Sequence, residues 1–367
     1  MTKEVYAYMS KTRGHSSNGI AYPAVPEKPE VIHPVVVPNY MQHPIAASRY
    51  TILTDAMFQL HEHLLDAISL GISGTIIYGS AYAGKSSAIS EVAKWLKEKQ
   101  PQKFLTYLIT LNDKKDFKYK EFYQFLSDNL GCSLPVKTTD TNRVTNNLIA
   151  SLVMRARKHN NKIVLILDEC EGLQIAQYKQ LKYLYNKLRE ADVVLITFLV
   201  GTDAMLSTKE IFEKSGSEGE QITRRFMQGL YEFHSVSDLD QLKYVLDSYD
   251  TMKFGGLTYT QYYFPEAWKK GVRLSDIAEE MLDVMLEISG LTVLPEVPMG
   301  YLTTLINAIY LTYGADTEKV DGNGKSLKRE WPSRSEIRDM MYKQNIEKKL
   351  IDLAAKNVVT REGRMYA

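Results

Sequence analysis

The chain has 367 residues, of which 44% are hydrophobic and 24% charged, which suits a soluble globular protein of about two domains. Its formal net charge of +1 excludes a global positive field, so any site for a polyanion must be a local cluster. The two cysteines lack metal-ligand spacing, which argues against a cysteine metal site. Segment 1–19 is polar and no run of about 18 apolar residues occurs, which argues against a signal peptide and a transmembrane helix. These features predict a cytoplasmic protein.

The N-terminal segment, residues 1–46, is predicted to be an extended arm. Six prolines fall between Pro23 and Pro44, and proline opposes helix and favours extended chain. Apolar residues then recur at helical spacing, which predicts a helix between Ala47 and Leu70.

A phosphate-binding motif follows the first predicted strand, Thr75–Tyr78. The stretch Gly79–Ser86 matches GxxxxGK[ST], and a helical run begins at its end. Backbone N–H groups of such a loop form an anion-binding nest, the lysine adds a full positive charge and the hydroxyl can bind Mg²⁺. A chance loop ahead of a helix is the alternative, which the strand–loop–helix context disfavours. The predicted nucleotide-binding residues are Gly79, Ser80, Ala81, Tyr82, Ala83, Gly84, Lys85, Ser86 and Ser87.

Two polar segments lie beyond the second predicted strand, Phe104–Leu111. The first, residues 112–120, is rich in lysine, and the second, residues 134–141, is a loop with one lysine and several threonines. Helices are predicted between them at 121–130 and after them at 142–159.

The segment Lys162–Glu169 reads as a buried parallel strand, because its middle is continuously apolar. It ends in two carboxylates at the strand tip, where ligands bind in open α/β sheets. The pattern resembles a Walker B motif, in which Asp168 would hold Mg²⁺ and Glu169 would activate the attacking water. The alternative is a strand that ends in solvated acids.

A helix is predicted at Leu173–Arg189, and another buried strand at Val193–Val200. A polar residue near the tip of that strand could contact the γ-phosphate or the attacking water. Thr202 is the first candidate and Thr197 the second, and an ordinary strand end is the alternative.

Two adjacent arginines, Arg224 and Arg225, precede the last predicted strand at Leu230–His234. Either could place a guanidinium on the γ-phosphate of a neighbouring subunit, or both could be simple surface charges. The Gly/Ser-rich segment Lys214–Gly219 before them is predicted to be mobile.

The remaining chain is predicted to be largely helical. Helices are expected at 238–249, 275–289, 301–313 and 333–356, with an inserted loop at 254–268 and a linker at 316–332. From residue 319 onwards there are 12 Lys and Arg against 7 Asp and Glu, so the tail is basic. It could dock on nucleic acid or an acidic partner, or be a solvated amphipathic helix.

Together these motifs resemble an AAA+ ATPase. The resemblance implies an α/β fold with a five-stranded parallel sheet flanked by helices, and a small C-terminal helical lid. The implied domains are the arm (1–46), the AAA+ nucleotide-binding domain (47–236), the lid (237–315), and the linker with the basic tail (316–367). One departure is that the lid helix opening at Pro298–Leu305 lacks the arginine of many AAA+ lids, which predicts slow or partner-dependent hydrolysis.

Within AAA+, the chain is similar to the TnsC/TniB/MuB class of transposition regulators. The similar stretches are Ile76–Ser87, Val164–Glu171, Phe198–Leu206 and Gln221–Phe226. The resemblance implies a bacterial, DNA-associated ATPase that uses ATP and Mg²⁺, assembles as a ring or helical filament on duplex DNA, and recruits a transposase together with target-selection proteins. The residues implied to track the DNA backbone, without base specificity, are Lys115, Lys118, Lys137, Thr138 and Thr139.

Several alternatives remain open at this point. The lysines could belong to a solvated loop, and the protein could be an AAA+ replication initiator or clamp-loader relative, or a nucleotide-dependent signalling scaffold without DNA binding. The lack of a recognisable winged-helix tail disfavours the initiator, and the lysine cluster disfavours the scaffold.

Overall fold

A computed structural model describes residues 42–111, 117, 119–132, 140–314 and 331–365. Most of the predicted arm and most of the predicted linker lie outside these residues. Within the described residues, one compact unit spans Ala56–His234, and the other comprises the described residues before Ala56 and those from Ser235 onwards. Across the described ranges, none of the helices combines the length and the apolar character needed to cross a membrane.

The first unit is an α/β sandwich around one parallel sheet. Its strands are β1 (Gly74–Tyr78), β2 (Leu105–Thr110), β3 (Lys162–Asp168), β4 (Val194–Val200) and β5 (Gly229–Glu232). Its helices are α1 (Asp55–Ser69), α2 (Lys85–Lys99), α3 (Tyr119–Asn129), α4 (Thr141–Ala156), α5 (Ile175–Glu190), α6 (Ala204–Lys214) and α7 (Ser217–Phe226).

The sheet has the order β2-β3-β4-β1-β5, with every neighbouring pair parallel. Helices cover both faces, which is why the central strands read as unbroken apolar runs. In β3, every residue from Ile163 to Leu167 is at most 2% exposed. The predicted five-stranded parallel sheet flanked by helices is therefore confirmed.

The predicted mobile segment Lys214–Gly219 is wrong in part, because α7 already begins at Ser217. Gly219 lies inside this helix and is buried against α6. A Cβ at that position would lie 1.9 Å from the carbonyl oxygen of Phe212, so the glycine permits close approach of the two helices. Gly219, one of the residues that suggested mobility, is therefore needed for the packing of α7 against α6.

The second unit is largely helical. Its helices are α8 (Leu239–Thr251), α9 (Tyr259–Tyr263), α10 (Pro265–Lys269), α11 (Ala278–Ser289), α12 (Met299–Tyr313), α13 (Arg334–Lys343) and α14 (Ile346–Met365), and its hairpin pairs β6 (Lys253–Phe254) with β7 (Leu257–Thr258). The C-terminal helices that the AAA+ resemblance implies are thus present.

Two expectations in this unit, and one about the start of α1, need correction. The predicted inserted loop 254–268 forms the hairpin and two short helices, because Tyr259 and Tyr263 are core residues rather than loop residues. The single last helix is two helices, which are separated at Asn345 by a left-handed backbone turn with φ of 54°. The helix expected from Ala47 begins only at Asp55.

The segment before α1 is built into the helical unit. His43 is fully buried, and its ring lies 4.6–4.9 Å from the centroids of four aromatic rings. The Tyr50 hydroxyl lies 2.9 Å from the hydroxyl of Tyr249 and donates to Oδ1 of Asn307 at 2.5 Å. His43 and Tyr50 thus pack with the helices of the second unit. The boundary between arm and nucleotide-binding domain at residue 46 stays a prediction.

The basic C-terminal segment also contributes to that core. Ile337, Met341 and Leu350 are at most 1% exposed and belong to the same hydrophobic cluster as residues of α11 and α12. Their basic neighbours Arg334 and Arg338 form ion pairs with Glu287 on α11. One side of the predicted basic tail is thus packed into the hydrophobic core of the second unit. The predicted boundary between the lid and the linker at residue 316 stays a prediction.

A buried histidine makes the first unit sensitive to acid. His61 on α1 is fully buried, its ring is 4.5 Å edge-on from Trp95, and neither ring nitrogen has a hydrogen-bond partner among the described residues. Burial lowers the pKa of His61 from 6.5 to about 4. Below pH 6.5 the unfolded chain therefore takes up a proton that the folded chain refuses, and stability falls as the pH drops towards 4.

We expect His61→Phe, which keeps an aromatic ring beside Trp95, to reduce this acid sensitivity. Between pH 7.5 and 5.5, the free energy of unfolding should fall by roughly 1 kcal/mol less in the variant than in the original protein. Chemical denaturation at the two pH values measures the difference. An equal loss of stability in both proteins would contradict a buried neutral His61.

Candidate functional site

Parallel register brings the predicted site residues to one edge of the sheet. Ile77 pairs with Val200 and Leu167 pairs with Leu199, so the carboxyl ends of β1, β4 and β3 lie side by side. The P-loop leaves β1, Thr202 follows β4, and Asp168 ends β3. Open α/β sheets bind ligands at this edge.

The P-loop Gly79–Ser86 closes on its own lysine. Lys85 is 8% exposed, and its ammonium donates to the carbonyl oxygens of Gly79 (2.8 Å) and Ser80 (2.7 Å). Gly84 immediately before it has φ of 108°, a conformation that suits glycine, and caps the start of α2. The helix therefore directs the positive end of its dipole and one buried cation at the loop interior.

Asp168 lies beside the P-loop hydroxyl. Its side chain is 6% exposed and is hydrogen-bonded to the hydroxyl of Ser86. Burial raises the pKa of Asp168, an effect that the hydrogen bonds from Ser86 and the Glu169 amide partly offset. A buried carboxylate in this setting gains from a cation placed against it.

Glu169 has an unusual backbone for a non-glycine residue. Its φ of 61° lies in the left-handed region, its amide donates to Oδ1 of Asp168 (3.0 Å), and its side chain is exposed. Such conformations cost on the order of 1 kcal/mol and cluster at functional sites. The exposed Glu169 thus directly follows the buried Asp168 at this edge of the sheet.

The two threonine candidates occupy different places. Thr202 is half-buried just beyond β4, and its amide donates to the carboxylate of Glu171. Thr197 is fully buried in mid-strand, where it pairs with Gly74 and Leu165. The second candidate is therefore remote from the edge, and only Thr202 remains a candidate for this site.

The two arginines are on α7 and differ in their surroundings. The Arg224 side chain is 81% exposed, and its only described ion-pair partner is Glu220, at 4.0 Å. Arg225 donates to the carbonyl of Gln221 (2.8 Å), and its guanidinium lies 5.8 Å from the centre of the Tyr185 ring. Arg225 is thus held against its own chain, while Arg224 extends into solvent.

The residues predicted to contact DNA are outside the described structure. Lys115, Lys118, Lys137, Thr138 and Thr139 all fall in segments that the structure does not describe. Their predicted role stays a prediction.

Mg²⁺ and a nucleoside triphosphate suit the groups that the structure brings together. The donor set offers one buried carboxylate, Asp168, and one hydroxyl, Ser86, and both are oxygen ligands of the kind that Mg²⁺ prefers. In the described ranges, no group of three or more His, Cys, Asp or Glu could hold a metal alone. A Mg²⁺ site of this type is completed by phosphate oxygens and water.

Glu171 also lies at this edge of the sheet, although the sequence motifs did not single it out. It follows Glu169 by two positions and binds the backbone beyond β4. The sequence shows that Glu171 is a third acid close to Asp168 and Glu169. Its contact with Thr202 after β4 depends on the tertiary structure.

Comparison with known families agrees with the geometry. The family described as AAA domain matches residues 73–207, a little over a third of the chain, which includes the P-loop, Asp168, Glu169 and Thr202. A sequence comparison with curated proteins gives no match.

Solved structures to which this chain is similar include two archaeal proteins and one from Drosophila. The ORC2 protein of Aeropyrum pernix, in ADPNP–ADP complexes, has a TM-score of 0.51 at 11% identity, covering 82% of this chain and 71% of that one. A Walker-type ATPase of Pyrococcus abyssi has a TM-score of 0.47 at 11% identity, with coverage of 83% and 76%. Drosophila ORC bound to DNA has a TM-score of 0.45 at 14% identity, with coverage of 71% and 62%.

At 11% identity, the likeness to the ORC2 protein of Aeropyrum pernix shows the fold alone. The family match and the strand order agree with it, and the resemblance to AAA+ proteins that the motifs suggested is confirmed at that level. The TnsC/TniB/MuB class is not confirmed. The chain has the AAA+ P-loop fold and a helical C-terminal part, and its residues 73–207 match the family described as AAA domain.

Proposed function

We propose that this protein binds and hydrolyses ATP with Mg²⁺, and that ATP controls its assembly into homo-oligomers on duplex DNA, as a relative of AAA+ replication initiators. The observation that carries the proposal is the convergence of Lys85, Asp168 and Glu169 at one edge of an AAA+ sheet. A buried cation, a buried carboxylate and an exposed carboxylate are the three groups that ATP hydrolysis needs there.

Each residue has a distinct task in this proposal. The P-loop amides and Lys85 bind the β- and γ-phosphates, for which Lys85 exchanges its present carbonyl partners. Ser86 and Asp168 hold Mg²⁺, which supplies charge neutralisation at the phosphates. Glu169 orients a water molecule and accepts its proton, and Thr202 contacts the γ-phosphate or that water.

The arginines support a site that is shared between subunits. Arg224 extends into solvent from α7 and is available to a nucleotide on a neighbouring subunit, while Arg225 is engaged with α5. We therefore assign the in-trans arginine to Arg224 and give Arg225 the task of holding α7 in place. A nucleotide bound between subunits then acts as an assembly signal.

The DNA part rests on two observations. The lysine-bearing segments 112–120 and 134–141 would give backbone contacts without base specificity. The fold is similar to that of initiator proteins, one of which is ORC2 of Aeropyrum pernix. A transposition regulator, the second candidate, is favoured by the sequence stretches described above, but the initiator alternative fits the comparisons better.

Two substitutions separate nucleotide binding from hydrolysis. Lys85→Ala should weaken ATP binding by roughly tenfold or more, because it removes the buried cation of the loop. Glu169→Gln should leave binding intact and reduce turnover on the order of 100-fold or more, because the base is lost. Equilibrium binding of a fluorescent ATP analogue and single-turnover hydrolysis measure the two effects. Unchanged turnover in Glu169→Gln would remove this residue from catalysis.

Arg224→Ala should reduce turnover on the order of a thousandfold with little change in ATP affinity, if its guanidinium acts on a neighbour's phosphates. Arg225→Ala is the matched control. It should lower turnover less than Arg224→Ala does and lower the melting temperature more, because the Arg225 side chain packs on Tyr185. Mixing Lys85→Ala with Arg224→Ala subunits should restore part of the activity, because mixed interfaces pair an intact loop with an intact arginine. Inactivity of the mixture would show that Arg224 does not act between subunits.

DNA binding is tested with random-sequence duplex and a non-hydrolysable ATP analogue. Neutralising Lys115, Lys118 and Lys137 by glutamine should weaken binding to all sequences alike and lower the salt slope by up to about 3. The matched control neutralises three exposed lysines on or after α2, namely Lys94, Lys97 and Lys103. Binding that is unchanged by the first set, or lost equally with the second, would contradict the assigned surface. A protein that binds ATP but no DNA would instead be a signalling scaffold.

A further inference from the structure

The turn after β3 is attached to the tip of β4. Residues Cys170–Gly172 form a 3₁₀ turn, and the buried Cys170 thiol donates to the carbonyl of Leu167 (3.0 Å) and is hydrogen-bonded to the backbone of Val200. The next residue, Glu171, accepts a hydrogen bond from the amide of Thr202. Two consecutive side chains of this turn thus bind the backbone of the neighbouring strand end.

The glycine before Thr202 makes room for this carboxylate. A Cβ on Gly201 would lie 2.9 Å from Cδ and 3.1 Å from Oε1 of Glu171, and 2.6 Å from Cγ of Met205, all closer than side chains ordinarily approach. The amide of Gly201 itself donates to the carbonyl of Ile77 (3.0 Å), so the same residue also joins β4 to β1. Residues 201 and 202 are therefore bound on both sides, by β1 and by the turn after β3.

We infer that Glu171 is a positioning residue for the nucleotide site, which holds Thr202 in place relative to Asp168 and Glu169. This inference rests on the proposed ATPase function. One carboxylate oxygen of Glu171, Oε1, accepts the hydrogen bond from the Thr202 amide, so Glu171 acts through Thr202 in this inference. It acts by joining the strand end that bears the acids to the strand end that bears the threonine.

The chemistry of this contact specifies which substitutions preserve it. An amide N–H needs an acceptor oxygen, which glutamine supplies as well as glutamate does. Glu171→Gln should therefore retain the contact, whereas Glu171→Ala removes it. Gly201→Ala should displace the carboxylate as well, although it also crowds the side chain of Met205, so Glu171→Ala is the more specific variant.

Turnover and amide exchange together test the inference. Glu171→Ala and Gly201→Ala should each lower kcat roughly tenfold or more with KM for ATP changed less than about twofold, because the site is misaligned rather than unable to bind. Glu171→Gln should keep kcat near that of the original protein.

Exchange of the Thr202 amide hydrogen provides a readout that does not depend on ATP. Exchange measured by mass spectrometry without nucleotide should accelerate in Glu171→Ala and remain slow in Glu171→Gln. Unchanged exchange in Glu171→Ala, or unchanged kcat with faster exchange, would overturn the positioning role. A loss of kcat in Glu171→Gln equal to that in Glu171→Ala would also overturn it, because the charge itself would then be needed. An original protein without ATP binding would instead refute the proposed function, and the exchange comparison would still decide whether Glu171 holds Thr202.

Discussion

The parallel register of three strands is the constraint on which the rest of the site depends. Because β4 pairs with both β1 and β3, the ends of the three strands face one space. The P-loop, Thr202 and Asp168 come from distant parts of the chain and meet there only through this pairing. A shift of one residue in either pairing would turn the side chains of the shifted strand to the opposite face of the sheet, and it would displace the site residues at the end of that strand.

The same strand that carries the P-loop also positions the arginine helix. A Cβ on Gly74 would lie 2.2 Å from Cα of Phe226, so the start of β1 and the end of α7 touch backbone to backbone. Ser73 donates to the carbonyl of Arg225 (2.9 Å), and Glu218 forms an ion pair with Lys179 of α5 at 2.9 Å. Helix α7 is thereby fixed to the sheet while Arg224 extends from it into solvent, an arrangement that suits the role we propose for this arginine.

Much of this architecture could be predicted from the sequence because its signals are local. Each strand of the sheet was predicted with its end displaced by at most a few residues, since buried parallel strands are apolar throughout and the P-loop is a contiguous pattern. Contacts between distant residues could not be predicted. Gly219 and the tyrosines of residues 259–263 look like loop composition until their packing partners are known, and nothing local links Glu171 to Thr202.

The central claim is that the nucleotide site is completed by a second subunit. Its most direct test is the rate of ATP hydrolysis per subunit as a function of protein concentration. A shared site predicts that this rate rises with concentration and levels off once the oligomer has formed, because an isolated subunit lacks the neighbouring arginine. A rate per subunit that stays constant from the most dilute to the most concentrated sample, while sedimentation shows monomers becoming oligomers over that range, would contradict the claim.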